Sequence, residues 1–171
     1  MLLFSKLFWK LASPKAKLAR LRNEGLTIGE GCEILNGFDF GSEPYLVTIG
    51  NNVRIASGVK ITTHDGGAWV LRNMYPELKR ADRFGRVAIG DNVHVGMNAL
   101  IMPGVTIGSN CIIGASAVVT HDVPQGAVVA GVPARFICSI EEYRDKHLSE
   151  FVMTKGLPAH DKRRLALKAV G

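Results

Sequence analysis

The sequence predicts an all-β fold, a single-stranded left-handed parallel β-helix with short N- and C-terminal helices. β-Branched aliphatic residues recur every six positions, small residues follow them, and small apolar residues stand four positions later. A period of six matches neither the 3.6-residue turn of an α-helix nor the alternation of a flat strand. Short strands joined by corners fit it, and three hexads close one triangular coil. The aliphatic positions are Ile49, Ile55, Ile61, Ile89, Val95, Ile101, Ile107, Ile113 and Val119.

The second column of the repeat is also apolar, with one exception, Asp65. Both columns are expected to point inward and to stack in files, so that each coil pairs its backbone with the coil above or below. The corner runs Gly90-Asp91-Asn92 and Gly108-Ser109-Asn110 tolerate the backbone angles that corners require. The apolar members of the column are Val53, Val59, Val93, Ala99, Val105, Cys111, Ala117 and Val123.

The repeat is disturbed at two places. A weak spacing of six starts at Ile28, and residues 42–45 shift its phase before Ile49. After Asp65 the repeat stops, and residues 66–86 form a flap loop in which aromatic and charged side chains are mixed. Long loops inside a compact domain are usually functional or disordered. Because of its aromatic residues, we expect this loop to be an ordered flap at an interface.

Residues 1–25 are predicted to form a basic helical segment ahead of the β-helix. Ser13-Pro14 is a typical helix start and Gly25 a typical helix end. An apolar stripe with lysines beside it precedes them, and such a stripe either packs on the protein or lies in a membrane interface. The stripe consists of Leu3, Phe4, Leu7, Phe8 and Leu11.

The β-helix is expected over residues 26–137 and a helical C-terminal segment over residues 138–171. The run from Ser139 to Glu142 is a capping box, which predicts a helix extending to about Phe151. Residues 158–169 are predicted to form a short basic helix.

Composition and charge narrow the class of protein. The chain of 171 residues is 47% hydrophobic, which suffices for one domain with a core. Its net charge of +6 comes from the two ends, because residues 1–22 carry +6, residues 155–171 carry +4 and the rest nets −4. The basic charge therefore does not indicate nucleic-acid binding by the core.

The sequence favours a cytoplasmic location without bound metal. We see no secretory signal pattern and no apolar run of 18 residues. The three cysteines, Cys32, Cys111 and Cys138, form no close metal-ligand pair and are expected to be small buried residues.

The motifs IGDNV (89–93), VTHDVP (119–124) and AGVPAR (130–135) resemble the hexapeptide-repeat acyltransferases, over residues 26–143 in all. Within that family, SEPY (42–45) and THDGG (63–67) are similar to bacterial capsular and cell-surface polysaccharide O-acetyltransferases. The resemblance implies a coenzyme A-dependent O-acetyltransferase. Acetyl-CoA would be the co-substrate, and the acceptor would be a sugar hydroxyl in cell-surface polysaccharide synthesis.

The predicted chemistry requires a base, because a sugar hydroxyl must lose its proton as it attacks a thioester. Histidine suits this role with an unperturbed pKa of about 6.5, and the resemblance implies that His64 is the catalytic base. Asp65 would orient the imidazole, bind an acceptor hydroxyl, or be a solvated turn residue, and Glu43 is a second candidate to orient it. Asn36 matches the place of an acceptor-binding asparagine in related sugar acetyltransferases.

The resemblance also implies a cofactor slot along the coils, and a backbone N–H near it would stabilise the oxyanion. His121 replaces the usual lysine near the phosphates, and Arg135 keeps its place at the nucleotide end. His94 stands where the family often has tryptophan, so the slot differs in shape. The small corner residues of the slot would be Gly96, Ala115 and Thr120.

Other functions fit the same repeat. A γ-class carbonic anhydrase needs three histidines around zinc, and position 99, where one is required, holds Ala99. Sugar N-acylation and a non-catalytic scaffold role are not excluded by the sequence.

We expect a homotrimer, because a β-helix prism has flat faces and leaves the groove at His64 half-built unless two subunits share it. A lipid-linked saccharide acceptor would fit peripheral contact of residues 1–11 with the inner face of the membrane.

Overall fold

A computed structural model describes residues 12–171, and short parallel strands follow one another around three sheets. The chain visits the sheets in turn, and their strand orders are β1-β3-β6-β9, β2-β4-β7-β10-β12 and β5-β8-β11. The strands are β1 (Thr27–Ile28), β2 (Glu33–Ile34), β3 (Val47–Ile49), β4 (Arg54–Ile55), β5 (Lys60–Ile61), β6 (Val87–Ile89), β7 (His94–Val95), β8 (Leu100–Ile101), β9 (Thr106–Ile107), β10 (Ile112–Ile113), β11 (Val118–Val119) and β12 (Ala127–Ala130).

Strand register gives the length of each coil. Ala88 pairs with Thr106, so an undisturbed coil has 18 residues. Thr48 pairs with Ala88 forty residues later, and the difference is the flap. Thr27 pairs with Thr48 twenty-one residues later, so the first coil holds three extra residues. The two disturbances seen in the sequence are therefore insertions into an otherwise regular coil.

The predicted inward positions form the core. All nine repeat aliphatics are buried, with at most 3% of any of them exposed. The apolar members of the second column are buried too, from Val53 at 0% to Val123 at 5%. Phe40 and Leu26 extend the core toward the N-terminal end. This part of the prediction is confirmed, and burying β-branched residues in stacked files is the main source of stability that the fold offers.

At the corners of the coils, asparagine occupies most of the positive-φ positions that glycine does not. Asn52, Asn92, Asn98 and Asn110 have φ between 55° and 60°, in the left-handed region that asparagine tolerates better than most residues. The Nδ2 of Asn92 donates to Oδ1 of Asn110 at 2.8 Å, so the corner side chains also join successive coils.

Two of the three cysteines take part in the same stacking. The Sγ of buried Cys111 donates to the carbonyl of Pro124 at 3.1 Å, and the partly buried Cys32 donates to Gly50 at 3.1 Å. Cys138 is also partly buried, and all three thiols are free.

The helix expected after Ser13 is present as α1 (Pro14–Asn23). The Ser13 hydroxyl accepts from the amide of Ala16 at 3.3 Å, and Gly25 follows with φ of 102°. The predicted apolar stripe in residues 1–11 lies outside the described residues. Within residues 12–171, no helix combines the length and the apolar content that crossing a membrane requires.

The flap contains its own secondary structure. Helix α2 (Ala68–Met74) is followed by a 3₁₀ turn at Pro76–Leu78. The Nε of Arg72 donates to the carbonyl of Ala81 at 2.6 Å, and its guanidinium also pairs with Asp82. These contacts tie the helix to the returning part of the loop.

A hairpin that the repeat does not predict follows the last coil. Strand β13 (Arg135–Ser139) pairs antiparallel with β12. Helix α3 (Ile140–His147) and a 3₁₀ turn (Leu148–Glu150) replace the single helix expected to reach Phe151, and α4 (Ala159–Val170) is the expected basic helix. Residues from Glu141 onward form a separate compact unit.

Candidate active site

The two insertions in the repeat bring Glu43 and His64 together. Glu43 belongs to the three-residue insertion, just before a 3₁₀ turn at Pro44–Leu46. His64 comes three residues after the end of β5, where the flap leaves the coil. The Nδ1 of His64 lies 2.9 Å from Oε2 of Glu43. A regular coil of 18 residues would contain neither insertion, and so would not build this pair.

Backbone pairing fixes His64 at the root of the flap. His64 and Phe84 form an antiparallel bridge. On either side, the amide of Asp65 donates to the carbonyl of Arg83 at 2.9 Å and the amide of Gly85 donates to Thr63 at 2.8 Å. The flap therefore leaves and re-enters the coil through a short ladder, and the imidazole projects from that ladder.

Glu43 is a strongly hydrogen-bonded carboxylate. Burial alone would raise its pKa, but hydrogen bonds from Thr63, His64 and Ser42, together with the charge of His64, lower the pKa to about 2. The Thr63 hydroxyl donates to Oε2 at 2.6 Å, and the Ser42 hydroxyl donates to Oε1 at 2.7 Å. Glu43 is therefore ionised throughout the neutral range.

The pair has the geometry of a general base with its orienting group. An ionised carboxylate only accepts hydrogen bonds, so Nδ1 of His64 carries the proton that it shares with Glu43. The other ring nitrogen, Nε2, then holds the lone pair that can take a proton from a substrate. The side chain of His64 is 48% exposed, whereas that of Glu43 is 14% exposed. The base is thus accessible and its orienting group is shielded.

Asp65, the other carboxylate considered for that role, has different partners. Its Oδ1 accepts from the amide of Gly67 at 2.8 Å, and its Oδ2 pairs with Arg83 at 3.1 Å. It shapes the turn into the flap and binds the returning strand. Glu43, which the sequence favoured less, contacts the imidazole instead.

A groove of about 590 Å³ opens beside His64. Asp65, Gly66 and the flap residues Arg83, Phe84 and Gly85 form one side. The floor crosses the third sheet and is largely apolar. It consists of Thr62, Leu100, Met102, Pro103, Gly104 and Thr120. The groove therefore joins the imidazole to Thr120, one of the predicted cofactor residues, across stacked coils.

Three predicted residues lie at a different corner, between the second and third sheets. The carbonyl of Asn36 accepts from Gly58, one coil further, at 3.1 Å. Gly96 stacks on Ala115, and a Cβ at Gly96 would lie 2.8 Å from the Ala115 Cα. Only a glycine fits there, so the packing of the coils requires glycine at position 96 whether or not a ligand binds.

The remaining predicted residues are exposed. The Thr120 hydroxyl and Nδ1 of His121 are 2.9 Å apart, which places His121 next to the end of the groove. Arg135 begins β13 and donates to the carbonyl of Ala134 at 3.0 Å. His94, on the second sheet, lines a separate recess with Arg54. Burial and then the Arg54 charge lower the pKa of His94.

The sequence reasoning missed Thr63 and Ser42, the two hydroxyl donors to Glu43. Thr63 is fully buried, with 0% exposure, and is the one polar residue among the buried residues of the described chain. The available signal was the phase shift at residues 42–45, which brings Ser42 and Glu43 to the corner that precedes the flap.

Comparison with known proteins places the chain in a family. The family described as bacterial transferase hexapeptide (six repeats) matches residues 86–121. Protein CapG of Staphylococcus aureus is 47% identical over 160 residues, which are 92% of this chain and 91% of CapG. The galactoside O-acetyltransferase of Escherichia coli (strain K12) is 42% identical over 61% of this chain, which spans 49% of that protein.

A solved structure agrees with the sequence comparison. The maltose O-acetyltransferase of Clostridium difficile 630 superposes with a TM-score of 0.56 and 28% identity, covering 80% of this chain and 84% of that one. The chain belongs to the hexapeptide-repeat acetyltransferases.

Proposed function

We propose that this acetyltransferase moves an acetyl group from acetyl-CoA to a hydroxyl of a sugar destined for a cell-surface polysaccharide. The observation that carries the proposal is the Glu43–His64 pair, with Nδ1 held by the carboxylate and Nε2 left as a base. Relatives named as acetyltransferases of galactosides and of maltose support a sugar acceptor. A relative in Escherichia coli (strain K12) that is named a putative lipopolysaccharide biosynthesis O-acetyl transferase, 37% identical over 53% of this chain, supports a surface polysaccharide.

In the proposed reaction, Nε2 of His64 takes the proton of the acceptor hydroxyl as its oxygen attacks the thioester carbonyl. A C–O bond forms, the C–S bond breaks, and the proton returns from His64 to the departing coenzyme A sulfur. Glu43 stabilises the imidazolium that exists between these steps. No residue of the protein is acetylated in this scheme, since the hydroxyl attacks directly.

The groove beside His64 suits the arm of coenzyme A. Leu100, Met102 and Pro103 of its floor match an aliphatic chain, and Thr62 and Thr120 add polar groups to the same floor. We assign the arm to this groove and the nucleotide end to the side of His121 and Arg135. Gly96 and Ala115 lie at a different corner from this groove, and we propose that they contact another part of the cofactor along the coils. Asn36 and Asp65 are assigned to the acceptor.

We further propose that the coil is left-handed, as in the family, and that the protein is a homotrimer with sites shared between subunits. Exposed apolar side chains of the flap support the proposal of a trimer. Helix α2 has no buried residue, and Trp69 and Met74 are 71% and 62% exposed. Apolar side chains exposed on this scale are typical of an interface.

We place the enzyme in the cytoplasm at the inner face of the membrane. The support is the apolar and basic pattern of residues 1–11, which suits an anionic membrane interface. An acceptor carried on a lipid would then meet acetyl-CoA at that surface.

The test is acetyl-CoA consumption measured against a panel of free, nucleotide-linked and lipid-linked sugars. One member of the panel should be acetylated on oxygen, with the product site fixed by mass spectrometry and NMR. His64→Ala should lower kcat by about 10²–10⁴-fold and leave the Kd for coenzyme A nearly unchanged. His160→Ala, in the separate C-terminal unit, is the matched control. Normal turnover by His64→Ala, or acetylation of amines only, would contradict the proposal.

A further inference from the structure

We infer that Thr63 and Ser42 are positioning residues that act on the base through Glu43, an inference that rests on the proposed role of His64. Each hydroxyl holds one oxygen of the carboxylate, and neither touches the imidazole. Together they fix the direction of Oε2 toward Nδ1 and share the negative charge that Glu43 would otherwise offer to the imidazole alone.

Both carboxylate oxygens of Glu43 are engaged. Oε2 accepts from the Thr63 hydroxyl at 2.6 Å and faces the His64 Nδ1 at 2.9 Å, while Oε1 accepts from the Ser42 hydroxyl at 2.7 Å. Three donors from two places in the chain, residue 42 and residues 63–64, reach one side chain. Rotation of the carboxylate away from His64 would break at least two of these bonds, so the orientation is fixed from both ends.

Burial makes Thr63 the more important of the two. Thr63 is fully buried, so its hydroxyl finds its partner within the protein. A buried hydroxyl without a partner is costly, and here its partner is the oxygen that also contacts the base. Ser42 is exposed and can exchange its bond for water. We therefore expect a larger effect from Thr63 than from Ser42.

The same hydroxyls set the acid–base balance of the site. His64 is the titratable group that acts on Glu43, and the Asp65–Arg83 ion pair lies beside His64 at the flap root. Without the hydroxyls, fewer hydrogen bonds offset the effect of burial, so the pKa of Glu43 rises. Because the full charge of Glu43 then faces Nδ1, the coupled Glu43–His64 pair as a unit holds its proton more tightly.

The test compares pH profiles of kcat for Thr63→Val, Thr63→Ser and Ser42→Ala with the intact enzyme. Thr63→Val removes the hydroxyl at nearly constant size, and Thr63→Ser keeps it. We expect Thr63→Val to lower kcat about 10-fold at neutral pH and to move the acidic midpoint up by about one pH unit. The KM for acetyl-CoA should stay within about twofold. Ser42→Ala should shift the midpoint in the same direction by less.

Thr63→Ser should restore most of kcat and the original midpoint. Thr48→Val is the control, because Thr48 is an exposed strand threonine outside the groove. Unchanged profiles for both Thr63→Val and Ser42→Ala, with His64→Ala inactive, would overturn the inference and leave the base role intact. Activity of His64→Ala would instead overturn the proposed function. If Thr63→Val fails to fold, the profile of Ser42→Ala decides alone, because its side chain is exposed.

Discussion

Glu43 and His64 are 21 residues apart, the separation that Thr27 and Thr48 also have across the first coil, and they meet through Oε2 and Nδ1 at 2.9 Å. The three-residue insertion thus has a chemical consequence. It lengthens the first coil and places a carboxylate behind the histidine at the flap root. The site depends on the irregular parts of the chain, while the regular hexads supply a rigid frame for it.

Glu43→Gln should lower kcat strongly while the protein stays folded at neutral pH. A neutral amide can donate to Nδ1 and thereby favour the wrong tautomer of His64, as well as failing to stabilise the imidazolium. We expect a loss of about 10²-fold or more in kcat with little change in the KM for acetyl-CoA. Steady-state kinetics measure this. A loss confined to KM would show that Glu43 binds substrate instead.

The low pKa of Glu43 predicts how the stability of the protein depends on acid pH. Its pKa in the folded protein is about 2, below the ordinary value of 4.5. The carboxylate therefore stabilises the fold above about pH 4.5, and this contribution is lost as the pH falls toward 2. Intact protein and Glu43→Gln should differ by about 2 kcal/mol in free energy of unfolding at pH 6, and by less than about 0.5 kcal/mol at pH 2. Urea unfolding at both pH values measures the difference. A constant difference would contradict it.

Much of the fold could be predicted because the hexad is a local pattern. The spacing and the side-chain type of Ile49 and Ile113 predict that both are buried, and both are. The hairpin of β13 could not be predicted in this way, because its pairing with β12 is antiparallel and leaves the period of six. The position of His64 was evident from the end of the repeat. The sequence offered both Asp65 and Glu43 as its partner and could not decide between them, since the contact depends on the three-dimensional stacking of two insertions of different length.

Ile113→Ala should destabilise the protein by about 2–5 kcal/mol, because it leaves a cavity between the neighbouring coils. Ile113 is 0% exposed and stacks between Val95 and Val129. Ile137→Ala, at a residue that is 60% exposed, is the control and should cost less than about 1 kcal/mol. Chemical denaturation measures both. Equal effects would contradict the assignment of the core.

Gly85→Ala should disturb the flap root more than the coil. A Cβ at Gly85 would lie 2.8 Å from the carbonyl carbon of Pro103 and would also crowd the backbone of Gly104. Backbone atoms of the next coil cannot move aside, so the strand that returns from the flap must shift. We expect kcat to fall at least about 10-fold because His64 pairs with the neighbouring Phe84. Gly66→Ala, where a Cβ meets nothing within 4 Å, should leave the melting temperature unchanged.

His94 should titrate below its ordinary range. Burial and the Arg54 charge both lower its pKa from 6.5. The imidazole is therefore neutral at pH 7, and NMR titration of its ring protons should give a midpoint under 6.5. Arg54→Gln should move the midpoint upward and leave part of the shift, because burial remains. A midpoint above 6.5 in the intact protein would show that an unrecognised acidic group faces His94.

The proposed trimer makes the last prediction, which concerns the flap. Trp69 is 71% exposed on a helix without buried residues, so a neighbouring subunit is the expected cover for its indole. Trp69→Ser should raise the concentration at which the trimer dissociates by about 10²-fold, which corresponds to a loss of about 3 kcal/mol at one interface. Lys79→Ser, in the same flap, should leave assembly unchanged. Light scattering across a dilution series measures dissociation. Activity should fall in parallel at low protein concentration and recover at high concentration, because each groove is completed by a second subunit. An intact enzyme that is monomeric and fully active at micromolar concentration would contradict both the trimer and the shared site.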